Sequence, residues 1–112
     1  MKPLLVNDLD EFLERFDNFK ACEFKHLEII SPVEFNISLS VQDKARGFDW
    51  ISIQFLLTGI TSANLLDNSK LSFIDMADGI ELSHNGINFA FSILNSTFFI
   101  ECESIKYQEG AF

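Results

Sequence analysis

Two glutamates spaced i and i+2, Glu101 and Glu103, sit in the stretch FFIECESIKYQE among Phe99, Ile105 and Tyr107. Alternate residues of a strand project from one face about 6–7 Å apart, so the pair has the residue types for acid–base work. That separation lies between the spacings of retaining and inverting glycosidases, or at their edge, and nothing else in the chain is built to hold a sugar. A solvated strand face accounts for the same two carboxylates. Cys22, Cys102, His26 and His84 supply atoms for a thiol nucleophile or a metal site, yet no C-x-x-C or H-x-x-x-H spacing groups them. The two cysteines read as buried small hydrophobes, His84 as a turn residue and His26 as a structural strand residue. No Gly-rich phosphate loop or G-x-S-x-G elbow is present, and the glycines fall at apparent turns or at the C-terminus. The expectation is therefore a chain with no catalytic residue, no cofactor and no metal, and not an enzyme.

The elements that would position these groups are read from hydrophobic periodicity. In NDLDEFLERFDNF, Leu9, Phe12, Leu13, Phe16 and Phe19 follow helical spacing, with Asn7 or Asp8 as N-cap and an end near Asn18. Asp8, Asp10 and Glu11 suit the positive end of that helix. From Ala21 the period becomes two. VEFNISLSVQ alternates Val33, Phe35, Ile37, Leu39 and Val41 with polar residues, a half-buried strand. The preceding CEFKHLEII changes phase near Lys25 and His26, which predicts a bulge, and Ser31-Pro32 marks a turn. DKARG closes a second hairpin. FDWISIQFLLTG then points Ile51, Ile53, Phe55 and Leu57 inward, with Trp50, Ser52 and Gln54 opposite.

Between them and the C-terminus, an irregular or helical turn is expected around Ala63–Leu66 and a short strand at Leu71–Ile74. GIELSHNGINFAFSIL reads as a hairpin turning at Asn85-Gly86, with Ile80, Leu82, Ile87, Phe89, Phe91 and Ile93 on the core side. The last strand places Phe98, Ile100 and Cys102 in one phase. Phe99, Glu101, Glu103, Ile105 and Tyr107 share the other. Short connections force antiparallel neighbours. The predicted fold is α+β, one domain over residues 1–112, with an N-terminal helix packed on a curved, mostly antiparallel sheet of six or seven strands.

Composition narrows the function. Hydrophobic residues make up 47% of the 112, enough for a packed core, so disorder is not expected. Against 8 Lys and Arg stand 17 Asp and Glu, a formal net charge of -9. Such a balance disfavours direct nucleic-acid binding and anionic membrane surfaces, and attracts cationic partners. Solubility alone also explains an acidic surface. The N-terminal apolar run is too short for a signal peptide and no segment reaches membrane-span length, so the cytosol is the expected location.

The face opposite the core mixes carboxylates with large aromatics: Trp50 on one strand, and Phe99, Glu101, Glu103 and Tyr107 on another. Such a face suits a protein-binding surface in which Trp and Tyr anchor and charges orient. A curved sheet that folds both faces inward would bury the same aromatics as core. The helix adds a second acidic surface containing Asp10 and Glu14. In size, acidity and strand-rich layout, with WISIQF and FFIECESIKYQE as its aromatic and acid-punctuated strands, the chain resembles bacterial immunity proteins of the contact-dependent growth-inhibition type. The resemblance is of kind and carries no signature residue. It implies tight binding of a cognate basic toxin domain, most often a nuclease, by active-site plugging or at an exosite. Other readings remain: a carrier with an apolar cavity between helix and sheet, an enzyme of unrecognised site, and a homodimer joined through a sheet edge or face.

Overall fold

Strict alternation in Val33–Gln42 and Trp50–Leu57 builds the centre of the sheet seen in the computed structural model, which describes residues 1–66 and 74–112. The elements are β1 (Lys2–Pro3), α1 (Leu9–Arg15), β2 (Glu23–Ser31), β3 (Glu34–Asp43), β4 (Asp49–Asn64), β5 (Ile80–His84), β6 (Phe89–Ile93) and β7 (Phe99–Ala111). The strands form one antiparallel sheet in the order β2-β3-β4-β7-β6-β5. The free side of β7 is shared: β6 pairs its first residues, from Ser92↔Phe99 to Phe89↔Cys102, and β1 pairs Tyr107 and Lys106. Among the described residues the sheet has seven strands, is not closed, and carries α1 on one face. The expected α+β layout is what the chain adopts. Among the described residues, no helix is long and apolar enough to cross a membrane.

Phenylalanines join the helix to the sheet. Phe12 lies edge-on to Phe55 at 5.9 Å and tilts over Tyr107 at 4.9 Å, while Phe19 meets Phe55 at 5.8 Å. Each fully buried ring contributes about 1.5–3 kcal/mol through removal of apolar surface from water. The helix ends at Arg15, short of the expected Asn18. Asp17, Asn18 and Phe19 take φ of 52°, 55° and 60°, a left-handed turn that no right-handed helix can include. Asp8 is the N-cap by position, though its side chain makes no capping hydrogen bond.

The predicted bulge in β2 is present, as a register shift between Phe24 and His26. Three expectations are corrected. First, β4 does not stop at Gly59 but runs to Asn64, so Ala63 and Asn64 are strand and not an irregular turn. The strand expected at Leu71–Ile74 lies outside the described residues except for Ile74, which is not in a strand. Second, the loop between β5 and β6 centres on Gly86-Ile87, and Ile87 is 80% exposed, not core. Asn85 explains the shift: its Oδ1 accepts the Ile87 and Asn88 N–H groups, at 2.9 and 2.8 Å. Third, β7 changes face midway. Ile100, Cys102 and Ile105 are all buried, so Ile105 and Tyr107 join the core side and part from Phe99, Glu101 and Glu103.

Gly59 is the cause of that change. Leu57 pairs with Ile105 and Ile60 with Cys102, both pairs facing the core, so β4 and β7 each reverse phase in the residues between. Gly59 makes the reversal with φ of +68°, and a Cβ there would lie 2.8 Å from the Glu103 side chain. The Thr58 and Ser104 hydroxyls hydrogen-bond to each other just before it. Period-two reading cannot pass such a point.

Candidate functional site

The first polar assembly is one that sequence spacing did not reveal. Asp43, at the end of β3, is fully buried and accepts two hydrogen bonds from Arg15 at the end of α1: Nε to Oδ1 at 2.9 Å and Nη2 to Oδ2 at 2.7 Å. Its Oδ1 also accepts the Ala45 N–H at 2.9 Å, which fixes the turn Lys44–Arg46. Arg15 pairs with Glu109 of β7 as well, and Arg46 spans Asp43 and Glu109 at 3.3 and 3.5 Å. The Arg15 hydrogen bonds hold the Asp43 carboxyl below its ordinary pKa against the opposing effect of burial. The same bond raises Arg15 in turn. Residues 28 positions apart carry no local signature in the sequence.

This network frames a cleft of about 600 Å³ between α1 and the β3–β4 hairpin. Asp10, Glu14 and Asp17 bring carboxylates to its lining and Arg15, Lys20 and Lys44 bring cations, Leu13, Phe16 and Val41 supply apolar wall, and Phe48 contributes an aromatic edge. Lys44 stands 3.8 Å from Glu14, an exposed pair of little energetic weight. Of the residues singled out from sequence, Asp10 and Glu14 are brought together here, one helical turn apart.

Exposed rings occur at Phe48, which lines the cleft, and at Trp50 with Phe112. Phe48 follows Gly47 with φ of 65°, a left-handed conformation that is strained for a bulky residue, and leaves its side chain 57% exposed. The Phe48 N–H donates to the Asp43 carbonyl at 2.8 Å, and Gln42 Nε2 donates to the Phe48 carbonyl at 3.2 Å. Trp50, 37% exposed, tilts against the terminal Phe112 at 5.8 Å. The sequence signal for Phe48 was a large apolar residue outside the inward phase, directly after a loop glycine.

The other residues lie apart. Ile51 pairs with Ala111 and Asn64 with Phe99, so Trp50 and Phe99 stand at opposite ends of the β4–β7 ladder. The single face expected to hold Trp50, Phe99, Glu101, Glu103 and Tyr107 is thus divided. Tyr107 packs on Phe12, on the core side. Phe99 and Glu101 are half-buried at the far end, where Thr61 Oγ1 and Asn88 Nδ2 donate to Glu101 Oε1 at 3.1 and 3.4 Å. Glu103 is exposed next to Gly59.

Among the described residues, no group of three or more His, Cys, Asp and Glu is arranged to hold a metal ion. Cys22 and Cys102 are both buried and unpaired by disulfide, and burial pushes each thiol up to about 12. Thiolate is the reactive species. Iodoacetamide at pH 8 is therefore expected to label neither cysteine in the folded chain and both in urea, as read by intact mass. Labelling at the native rate of a free thiol would show that the cores around them open. His84 Nδ1 accepts the Gly86 N–H at 3.0 Å and its ring packs on Phe89, so it locks the hairpin turn. No family model, no curated protein and no solved structure matches the chain.

Proposed function

We propose that this chain is an immunity protein, a cytoplasmic non-enzyme that binds and neutralises a cognate basic toxin domain, with a nuclease as the toxin class favoured. One observation carries the reading. An exposed ring on a strained loop, Phe48, lines a cleft that also carries Asp10, Glu14 and Asp17 beside Arg15, Lys20 and Lys44, in a chain of net charge -9. Large aromatics in a few central positions supply most of the energy of protein interfaces, and surrounding charges set orientation and on-rate. A nucleic-acid-cleaving toxin presents a positive cleft, which carboxylates at Asp10, Glu14 and Asp17 complement as phosphate mimics. An interface of standard size, about 800 Å² per partner, exceeds the cleft and takes in the rings.

The test begins with capture from an extract of the source cells at low salt on immobilised chain. The eluate is expected to contain a basic protein with nuclease activity, silenced when wild-type chain is added back. Trp50→Ala combined with Phe48→Ser removes exposed side chains, so folding is retained and dissociation accelerates about 30-fold or more. Asp10→Lys with Glu14→Lys slows association and reduces its dependence on salt. Glu101→Lys with Glu103→Lys, at the far end of the sheet, leaves both rates close to wild type. Loss confined to this last variant moves the contact to the far end, and a salt-indifferent rate removes electrostatic steering altogether.

The carrier reading is favoured less by the packing. Phe12, Phe16, Phe19, Phe55, Phe91 and Phe98 form a connected set of ring contacts among helix, sheet and adjoining loop, where a ligand would have to lie. Native mass spectrometry of the purified chain is expected to show no retained apolar molecule.

A further inference from the structure

We propose that two copies of this chain associate through β2, edge against edge and antiparallel, so that two seven-stranded sheets continue into one. β2 is nine residues long and ends the sheet order, and among the described residues nothing pairs with its outer side. Edge strands are ordinarily guarded by shortness, bulges, lysine or a covering segment. The opposite edge, β5, has five residues. In β2 the guards are confined to the start: the bulge falls between Phe24 and His26, Lys25 sits within it, and Met76 accepts the Ala21 N–H at 2.9 Å. Beyond the bulge the strand is open. Ile29 and Ile30 are 57% and 48% exposed there, and Val33 in the adjoining turn is 54% exposed.

Side-chain pairing along β2 selects a second copy as the occupant, and selects the register: His26 Nε2 and Glu28 Oε2 already lie 3.9 Å apart within one chain. His26 and Glu28 both pair with outward-facing residues of β3, Ser38 and Asn36, so they share one face two positions apart, with Leu27 between them on the core side. A two-fold axis through Leu27 sets His26 of each copy opposite Glu28 of the other, twice, and Leu27 against Leu27. Past the bulge it carries Ile29 towards Phe24 of the second copy. An axis through Glu28 would oppose two glutamates, which destabilises a cross-strand pair. One through Ile29 would set Glu28 against Ile30, with no charge matched. Of these three registers, the one through Leu27 sets His26 against Glu28 on one side and gives apolar contact on the other.

Both copies carry -9, so added salt is expected to strengthen this association. Binding of a basic toxin at the cleft has the opposite salt dependence and uses other residues, which keeps the two ideas separable. The experiment is sedimentation equilibrium of the full chain across micromolar concentrations. The wild type is expected to dimerise reversibly. Ile29→Lys, a change at an exposed position, should abolish the dimer while leaving circular dichroism and thermal unfolding of the monomer intact. His26→Glu should weaken it about tenfold by opposing two pairs of glutamates, Glu28→Lys should weaken it by removing the acceptor opposite each His26, and the double variant should restore it. A wild-type chain that stays monomeric, or a dimer indifferent to Ile29→Lys, overturns the proposal. A double variant no tighter than either single one overturns the register.

Discussion

Replacing Asp43 by alanine will cost the fold about 3 kcal/mol, towards the low end of what breaking a buried ion pair costs. The reason is what remains behind. Arg15 would keep only Glu109, with its Nε and Nη2 donors to Asp43 unmatched, and the Ala45 N–H would lose its acceptor. Arg15 is 28% exposed, so water can reach part of the guanidinium and moderates the loss. Arg46 is more exposed still and adds little. Asparagine will not rescue the variant, because its amide NH2 meets the Arg15 donors. Urea unfolding of wild type, Asp43→Ala and Asp43→Asn measures this directly. Either variant within 1 kcal/mol of wild type would mean the network is marginal to stability.

The same residue predicts a pH dependence. Its pKa is lower in the folded chain than in the unfolded one, because the Arg15 hydrogen bonds favour the charged form. The unfolded state therefore takes up a proton first as pH falls, and the folded state is penalised. The contribution of Asp43 is complete above the ordinary carboxylate range, near pH 4, and is lost progressively as pH drops through the lowered folded value. Melting temperature of the wild type should fall between pH 5 and 3 more steeply than that of Asp43→Asn. Parallel curves would assign acid sensitivity to other carboxylates.

Local patterns carried most of the architecture and little of the site. Alternation from Phe35 to Val41 and from Ile51 to Leu57 read correctly because it runs along two central strands, whereas Val33 falls in the turn before β3 and is exposed, and the β2 bulge was visible as a break in phase. The same logic failed at Gly59, where the backbone reverses phase by a left-handed step that leaves no mark in the hydrophobic pattern. Continuing the count through Glu103 put Ile105 and Tyr107 on the wrong face and assembled a surface that is actually split between two ends of the sheet. The helix acids were legible because their neighbours in sequence are their neighbours in space. Arg15 with Asp43, and Phe48 beside the cleft, are products of tertiary contact. Nothing nearby in the chain announces them.

Substituting Gly79 by alanine is expected to be the most damaging change of a single methyl group, costing about 3 kcal/mol or more. Gly79 has φ of +78°, and a Cβ built on it would lie 2.0 Å from the Asn18 carbonyl oxygen and 2.9 Å from the Lys20 nitrogen. Those atoms are backbone and cannot rotate aside. They also belong to a segment already under load, since Asp17, Asn18 and Phe19 are all left-handed, at about 1–2 kcal/mol each. That turn persists because it drives Phe16 and Phe19 into the core, where they are 1% and 0% exposed, and because Gly79 lets a second backbone lie against it. The Leu94 N–H donates to the Gly79 carbonyl at 3.1 Å, so Gly79 cannot retreat without loosening the β6–β7 connection. Gly86→Ala isolates the contribution of backbone angle. Its φ is +95° with nothing within 4 Å of the added carbon, and about 1 kcal/mol is expected. A difference of 2 kcal/mol or more between the two variants in urea unfolding measures the collision itself. Equal losses would mean that the left-handed turn yields freely, in which case Asp17 and the cleft wall it forms would be mobile and unsuited to a preformed binding surface.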